Sequence, residues 1–182
     1  MKFIPTAIPD VVLIAPKVFG DERGYFMEIW HERKFASEGL PLRFVQDNQS
    51  RSCRNILRGL HYQIRQPQGK LVRTLIGEIF DVAVDLRRRS PTFGRWVWAT
   101  LSAENKHQLY VPPGFAHGFL VTSDVADVEY KCTDFYAPEH ERSLAWNDPA
   151  IGIVWPLASG VTPMLSAKDR AGVLLGDAEV FE

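Results

Sequence analysis

Short stretches of this chain alternate between hydrophobic and polar residues with a period of two. The clearest stretch is 79–86, where aromatic or aliphatic residues at every even position alternate with residues that include Asp81 and Asp85. A period of two places successive side chains on opposite faces of a β-strand. The same pattern predicts three further strands, over residues 95–101, 115–121 and 128–135.

Helical signals are few and short. The best one covers residues 31–38 and ends at Gly39, a residue that often terminates helices. A second helical turn is predicted over 166–170, with Ser166 as its N-cap. Glycines and prolines separate the apolar stretches, which is typical of a β-sandwich or barrel. We therefore predict an all-β jelly roll with a few short helices, formed by residues 1–182 as one domain.

Composition excludes several classes of partner. The chain has 21 Lys and Arg residues against 22 Asp and Glu residues, so neither nucleic acid nor a membrane surface is expected as a partner. Cys53 and Cys132 lack metal-site spacing and are expected to be reduced thiols. Pro5 and Pro9 interrupt any signal peptide, and the apolar run 11–15 is far shorter than the roughly 20 residues that cross a bilayer. A cytoplasmic location is the expectation.

His61 is the first residue that could perform chemistry. A period of two places His61 and Gln63 on one face of their strand, with apolar neighbours on the other. Arg58 and Lys70 give this region a cationic character. Imidazole titrates near neutral pH, so His61 could be a general base. For a lone histidine, a structural role with satisfied hydrogen bonds remains the alternative.

Two segments resemble the cupin superfamily of jelly-roll barrels. The sequence PGFAH at residues 113–117 resembles the second cupin motif, which ends in an inward-facing histidine. The first motif would supply two metal-binding histidines one residue apart, and here Gln63 stands in the second position. A catalytic metal usually needs three strong protein ligands. No metal is therefore expected.

A closer resemblance is to the dTDP-4-dehydrorhamnose 3,5-epimerase family, over about residues 4–169. The matching segments follow the family's order, and they are PKVFGDERGYFMEIW, FVQDNQS, LRGLHYQ, QGKLVR, GEIFDVAVDLR, SPTFGRWV, LSAENKHQLYVPPGFAHGF, EYKCTDFY, WNDPAIGIVWP and LSAKD. The resemblance implies an enzyme that inverts C3 and C5 of dTDP-4-dehydro-6-deoxy-D-glucose, giving dTDP-4-dehydro-L-rhamnose for dTDP-L-rhamnose biosynthesis. Because no electrons leave the sugar, no cofactor is expected.

The resemblance also implies four catalytic residues. His61 would be the base and Asp169 the carboxylate that orients it. Lys70 would stabilise the enolate oxygen, and Tyr130 would donate a proton on the opposite face of the sugar.

Nine further positions match the family's substrate-contacting residues, and arginine among them suits a diphosphate because its planar head donates two hydrogen bonds at once. They are Arg23, Glu28, Gln46, Asp47, Asn48, Arg58, His117, Glu141 and Lys168. Phe19, Phe26 and Tyr136 are candidates for stacking on the nucleotide base, and Asp81 is a candidate acidic neighbour of His117.

Members of the family are usually homodimers whose N-terminal strands cross to the partner. The apolar segment 3–14 would otherwise leave an exposed strand edge, which agrees with this arrangement. We expect Arg23 and Glu28 to serve the neighbouring subunit's site.

Three other functions remain open. A relative that inverts only C3 or C5, or acts on another nucleotide-linked keto-deoxysugar, would retain the same base. A metal-dependent cupin enzyme is disfavoured by Gln63. A non-catalytic sugar-nucleotide binding module would be expected to lack some of the four catalytic residues, which are all present.

Overall fold

A computed structural model describes all residues from 1 to 182. The chain forms two short helices, α1 (Glu32–Ser37) and α2 (Ala167–Arg170), and two 3₁₀ turns at Pro138–His140 and Leu175–Asp177. The thirteen strands are β1 (Lys2–Pro5), β2 (Val12–Ala15), β3 (Val18–Asp21), β4 (Gly24–Met27), β5 (Gln46–Cys53), β6 (Leu57–Gln63), β7 (Lys70–Ile76), β8 (Glu78–Asp85), β9 (Trp96–Ser102), β10 (Gln108–Val111), β11 (Phe115–Val121), β12 (Val125–Cys132) and β13 (Glu141–Ser143).

Two antiparallel sheets face each other across a shared apolar interior. One has six strands in the order β1-β2-β10-β7-β12-β5, and the other has five in the order β13-β6-β11-β8-β9. The interior is filled by small and branched residues from both sheets, such as Val72 and Val128 from the first and Ala83 and Val121 from the second. The predicted all-β jelly roll is confirmed.

The outer faces of both sheets are also covered, which explains why several strands are apolar on both sides. Leu57, Val82 and Leu120 point outward from the five-stranded sheet and pack against a C-terminal segment that includes Trp155. On the six-stranded sheet, Ile14, Leu71 and Tyr110 pack against Phe35 of α1. Burial of this apolar surface is the main favourable contribution to folding.

Three of the four predicted strands are confirmed to within one residue, as β8, β9 and β11. The fourth, 128–135, is displaced: β12 ends at Cys132. Cys132 pairs with Gln46, the first residue of β5, and with Lys70, the first residue of β7. Both neighbouring strands begin at this row, so the regular sheet extends no further along β12.

Both predicted helices are present. In α1 the chain leaves the helix through Gly39, whose φ of +80° favours glycine. Ser166 caps α2 in a reciprocal arrangement, because its hydroxyl accepts a hydrogen bond from Asp169 N and the Asp169 carboxylate accepts one from Ser166 N. Neither helix is long and apolar enough to cross a membrane.

The N-terminal segment lies along one edge of the six-stranded sheet. Strands β1 and β2 pair with each other, and β2 pairs with β10 of the same chain, so β1 is an edge strand whose outer side has no partner within the chain. The next two strands, β3 and β4, form a separate hairpin. Phe19 and Phe26 on this hairpin are 53% and 70% exposed.

A β-bulge distorts β6 where it pairs with β11. His61 lies opposite His117 and Arg58 lies opposite Phe119, so three steps along β6 match two along β11. The extra residue allows Arg58 and His61 to face the same side although they are an odd number of positions apart. Gly59, with φ of +121°, lies inside the bulge.

Gly118 lies against the bulge at a distance that only glycine permits. An added Cβ would lie 2.7 Å from the carbonyl oxygen of Arg58 and 3.1 Å from Gly59 Cα. Gly118→Ala should lower the free energy of unfolding by about 1–3 kcal/mol, because backbone atoms must move. Urea unfolding measures the loss, and Gly176→Ala is the control because its Cβ would meet nothing within 4 Å. Equal stability of the two variants would contradict the close approach.

Candidate active site

A cavity of about 350 Å³ opens at one end of the barrel between the two sheets. Its walls are mostly polar and come from both sheets and from the loops that join them. The lining residues are Gln46, Asn48, Ser50, Arg58, His61, Gln68, Lys70, His117, Phe119, Tyr130, Tyr136, Glu141 and Lys168.

His61 and Asp169 form a close pair at the cavity wall. The ring Nε2 of His61 donates to Asp169 Oδ1 at 2.6 Å, and Asp169 is 4% exposed. Gly59 N also donates to Oδ1, and the hydroxyl of Ser166 donates to Oδ2 at 2.7 Å. Burial alone would raise the pKa of Asp169, but the hydrogen bonds from His61, Ser166 and Gly59 bring it to about 2. Asp169 is therefore a carboxylate at neutral pH.

His61 is neutral at the same pH. Burial lowers the pKa of His61, and the hydrogen bond to Asp169 opposes this effect without overcoming it. The nearby Lys168 and Lys70 lower the pKa further. Since Nε2 is engaged by Asp169, Nδ1 is the ring nitrogen that remains for a proton acceptor role.

Lys70 and Tyr130 lie on neighbouring strands and both line the cavity. Burial lowers the pKa of Lys70, with Cys132, Glu141 and Asp81 acting against the shift. Burial also raises the pKa of Tyr130, so its phenol keeps its proton at neutral pH. The site thus holds a neutral imidazole, an amine whose pKa is lowered by burial, and a protonated phenol.

His117 forms a second imidazole–carboxylate pair. Its Nε2 donates to Asp81 Oδ1 at 2.7 Å, so the interpretation of Asp81 as an acidic neighbour of His117 is confirmed. The other carboxylate oxygen of Asp81 is buried without a hydrogen-bond partner. Because His117 lies directly opposite His61 in the strand register, the two pairs are adjacent in the barrel.

The cavity mouth is bordered by an ion pair and an aromatic ring. Lys168 pairs with Glu141 Oε1, and the hydroxyl of Tyr136 donates to Glu141 Oε2 at 2.7 Å. Although burial opposes it, these two contacts lower the pKa of Glu141. Arg58 Nε donates to Ser52 Oγ at 2.9 Å.

The structure brings together ten of the thirteen residues expected at the site, counting Asp169 behind His61. Asp47 is an exception, since alternation along β5 turns it away from Gln46 and Asn48 and its carboxylate pairs with Lys131. Arg23 and Glu28 lie in the hairpin region and contact Asp21 and Lys34. Of the proposed stacking residues, Tyr136 lines the cavity, whereas Phe19 and Phe26 lie on the hairpin.

Three lining residues were missed in the sequence: Ser50, Gln68 and Phe119. Each lies two positions from a residue that was identified, namely Asn48, Lys70 and His117. Ser50 and Phe119 lie within strands, so the period of two could have placed them on the same face as Asn48 and His117.

Gln63, at the position of a cupin metal ligand, makes contacts away from the cavity. Its amide nitrogen donates to the carbonyl oxygens of Gln66 and Phe135, and its amide oxygen accepts from Ala137 N. Both donated hydrogen bonds and the accepted one are therefore made with main-chain groups.

Comparison with known proteins agrees with this geometry. The family model described as dTDP-4-dehydrorhamnose 3,5-epimerase matches residues 5–177. A dTDP-4-dehydrorhamnose 3,5-epimerase from Pseudomonas aeruginosa is 60% identical, over 100% of this chain and 99% of the relative. One from Salmonella typhimurium is 55% identical over the full length of both.

A solved structure supports the same assignment. The dTDP-6-deoxy-D-glucose-3,5-epimerase from Legionella pneumophila, crystallised in complex with dTDP-4-keto-L-rhamnose, is 52% identical. It superimposes with a TM-score of 0.94 over 98% of this chain and 94% of that one. The chain belongs to the dTDP-4-dehydrorhamnose 3,5-epimerase family.

Proposed function

We propose that this protein inverts C3 and C5 of dTDP-4-dehydro-6-deoxy-D-glucose to give dTDP-4-dehydro-L-rhamnose. The observation that carries the proposal is the His61–Asp169 pair, which lies at the wall of a cavity that also contains Lys70 and Tyr130. A base, a stabilising cation and a second proton donor are the groups that inversion beside a ketone requires.

The first step is removal of a proton from a carbon beside the C4 ketone. Neutral His61 accepts the proton, the C–H bond breaks, and its electron pair moves into an enolate on the C4 oxygen. Asp169 stabilises the resulting imidazolium through the 2.6 Å hydrogen bond. Because the buried Asp169 carries a full negative charge, this stabilisation is present when the proton arrives.

The enolate is then stabilised and reprotonated. Lys70 is the cation assigned to the enolate oxygen, since it lines the cavity, and a charge fixed in a buried site stabilises an oxyanion strongly. Tyr130 donates its phenolic proton to the carbon from the face opposite His61, which inverts the centre. Exchange with solvent restores both groups. The oxidation state of the sugar does not change, so the reaction needs no redox cofactor.

Arg58 and Lys168 are assigned to the diphosphate. Both line the cavity, and an arginine head can donate two parallel hydrogen bonds to phosphate oxygens. Gln46, Asn48, His117 and Glu141, which also line the cavity, are assigned to the sugar and nucleoside hydroxyl or carbonyl groups.

Isotope exchange separates this reaction from inversion at a single carbon. After incubation of the keto-sugar nucleotide with the protein in D₂O, we expect deuterium at both C3 and C5, measured by proton NMR and mass spectrometry. His61→Ala should incorporate none, and Tyr130→Phe should exchange but turn over more slowly. Deuterium at one carbon would identify a single-position epimerase, and rapid exchange by His61→Ala would remove the base assignment.

The pH dependence tests the role of Asp169. His61 must be neutral to accept a proton, so the exchange rate should fall as pH drops through a pKa below the ordinary value of about 6.5. Asp169 raises the pKa of His61, so Asp169→Asn should move this fall to lower pH. The same variant should lower the plateau rate about 10²–10⁴-fold.

Asp148→Asn is a matched control for this profile. Asp148 is also a buried aspartate, but it accepts hydrogen bonds from the main-chain groups Ala150 N and Leu175 N, outside the cavity. Its exchange rate per folded molecule should remain within about twofold of the wild type. An unchanged acid limb in Asp169→Asn would rule out direct coupling of the two groups.

We further infer that residues 1–182 act as one domain within a homodimer, and that the hairpin β3–β4 crosses to the partner. The hairpin forms its own two-stranded sheet and exposes Phe19, Tyr25 and Phe26 to solvent. Exposed aromatic clusters of this kind mark interaction surfaces. Arg23 at its tip is 86% exposed in side chain and carries a charge suited to a phosphate.

Complementation between two inactive variants tests this arrangement. If Arg23 serves the partner's site, co-expressed Arg23→Ala and His61→Ala chains form mixed dimers with one intact site. Random pairing then predicts about a quarter of wild-type activity. If Arg23 served its own subunit, mixed dimers would be inactive. Sedimentation velocity should show a dimer at micromolar concentration, and a monomer there would contradict the proposal.

A further inference from the structure

The loop that follows β12 is held by the side chains of three glutamines. Gln68 donates to the carbonyl oxygen of Asp134 at 2.8 Å, and Gln46 accepts from Tyr136 N at 2.9 Å. Gln63 donates to the carbonyl oxygen of Phe135 at 3.2 Å and accepts from Ala137 N at 3.0 Å. Four successive loop residues, 134–137, thus make main-chain hydrogen bonds with amide side chains: two through a carbonyl oxygen that accepts and two through an N–H that donates.

Gln63 is the buried member of this group, at 4% exposed. It bonds two residues of the loop, on either side of Tyr136, and also the carbonyl oxygen of Gln66 at 2.7 Å. Only an amide side chain can donate to two carbonyl oxygens and accept from an N–H at the same time. A side chain of another type would leave buried polar groups without partners.

Tyr136 is the residue whose position depends on these contacts. It lines the cavity and is 50% exposed. Its hydroxyl donates to Glu141, which pairs with Lys168. The main-chain N–H of Tyr136 donates to Gln46, and Gln63 bonds the main chain of the two flanking residues, Phe135 and Ala137.

We propose that Gln63 is a positioning residue for nucleotide binding, which acts by holding the 134–137 loop so that Tyr136 contacts the nucleoside of the substrate. The proposal rests on the function proposed above. Gln63 itself does not line the cavity, so it would act on binding through the main-chain groups that it holds. His61 lies on the same strand, but Asp169 and Gly59 hold that part of the site independently.

A double-mutant cycle with dTDP as the probe tests the proposal. Gln63→Met removes all the amide contacts while keeping an unbranched side chain of similar length. We expect the dissociation constant for dTDP, measured by calorimetry on the purified full chain, to rise about tenfold. KM for the keto-sugar nucleotide should rise by a similar factor, with a fall in kcat of less than about threefold.

The cycle separates positioning from general loosening of the fold. Tyr136→Ala should itself weaken dTDP binding, and adding Gln63→Met to it should cause no further loss. Asn105→Leu is the control. Asn105 also bonds three main-chain groups, donating to Thr100 O and accepting from Ser102 N and His107 N, outside the cavity. Its dTDP affinity and turnover should match the wild type.

A second variant covers the case in which Gln63→Met does not fold. Gln63→Glu keeps the size of the side chain and the acceptor for Ala137 N, but places an oxygen against the carbonyl of Phe135. It should weaken dTDP binding in the same Tyr136-dependent way. Unchanged affinity, or equal losses with and without Tyr136, would overturn the proposal. Absence of epimerisation by the wild type would instead refute the proposed function.

Discussion

The hydrogen bond between His61 and Asp169 joins two residues that are 108 positions apart in the chain. Both oxygens of the Asp169 carboxylate accept hydrogen bonds. Oδ1 accepts from His61 and Gly59 N, and Oδ2 accepts from the hydroxyl of Ser166. The capping arrangement at Ser166 fixes the carboxylate through contacts that do not involve the imidazole. The charge that supports the base is therefore preorganised, which avoids the cost of reorienting groups during proton transfer.

This hydrogen bond depends on the packing of the C-terminal segment. Short parallel bridges join Ile56 to Met164 and Leu144 to Val173, on both sides of α2 in sequence. The same segment covers the outer apolar face of the five-stranded sheet with residues such as Trp155. Burial of that face therefore stabilises the fold and also places Asp169 behind His61. Loss of packing in this segment, even far from the cavity, would therefore disturb the contact between Asp169 and His61.

Local patterns predicted the fold class, the two short helices and the limits of three of the thirteen strands. Alternation gave β8, β9 and β11 to within one residue, because a strand buried between two layers still alternates between distinct environments. The end of β12 could not be found in this way, since it depends on where β5 and β7 begin. The orientation of Asp47 and the shared face of Arg58 and His61 depend likewise on register and on the bulge.

Pattern and residue type indicated only His61 as a possible base, and the other catalytic residues were identified through resemblance. Gln63 shows why pattern alone fell short. Period two correctly separated His61 from its apolar neighbours and grouped it with Gln63. Yet the side chain of Gln63 turns to the 134–137 loop, whose main chain supplies two of its partners. The third partner is the carbonyl oxygen of Gln66. A buried amide goes where its donors and acceptor can all be satisfied. That requirement depends on a loop distant in sequence, so it becomes visible only after the chain has folded.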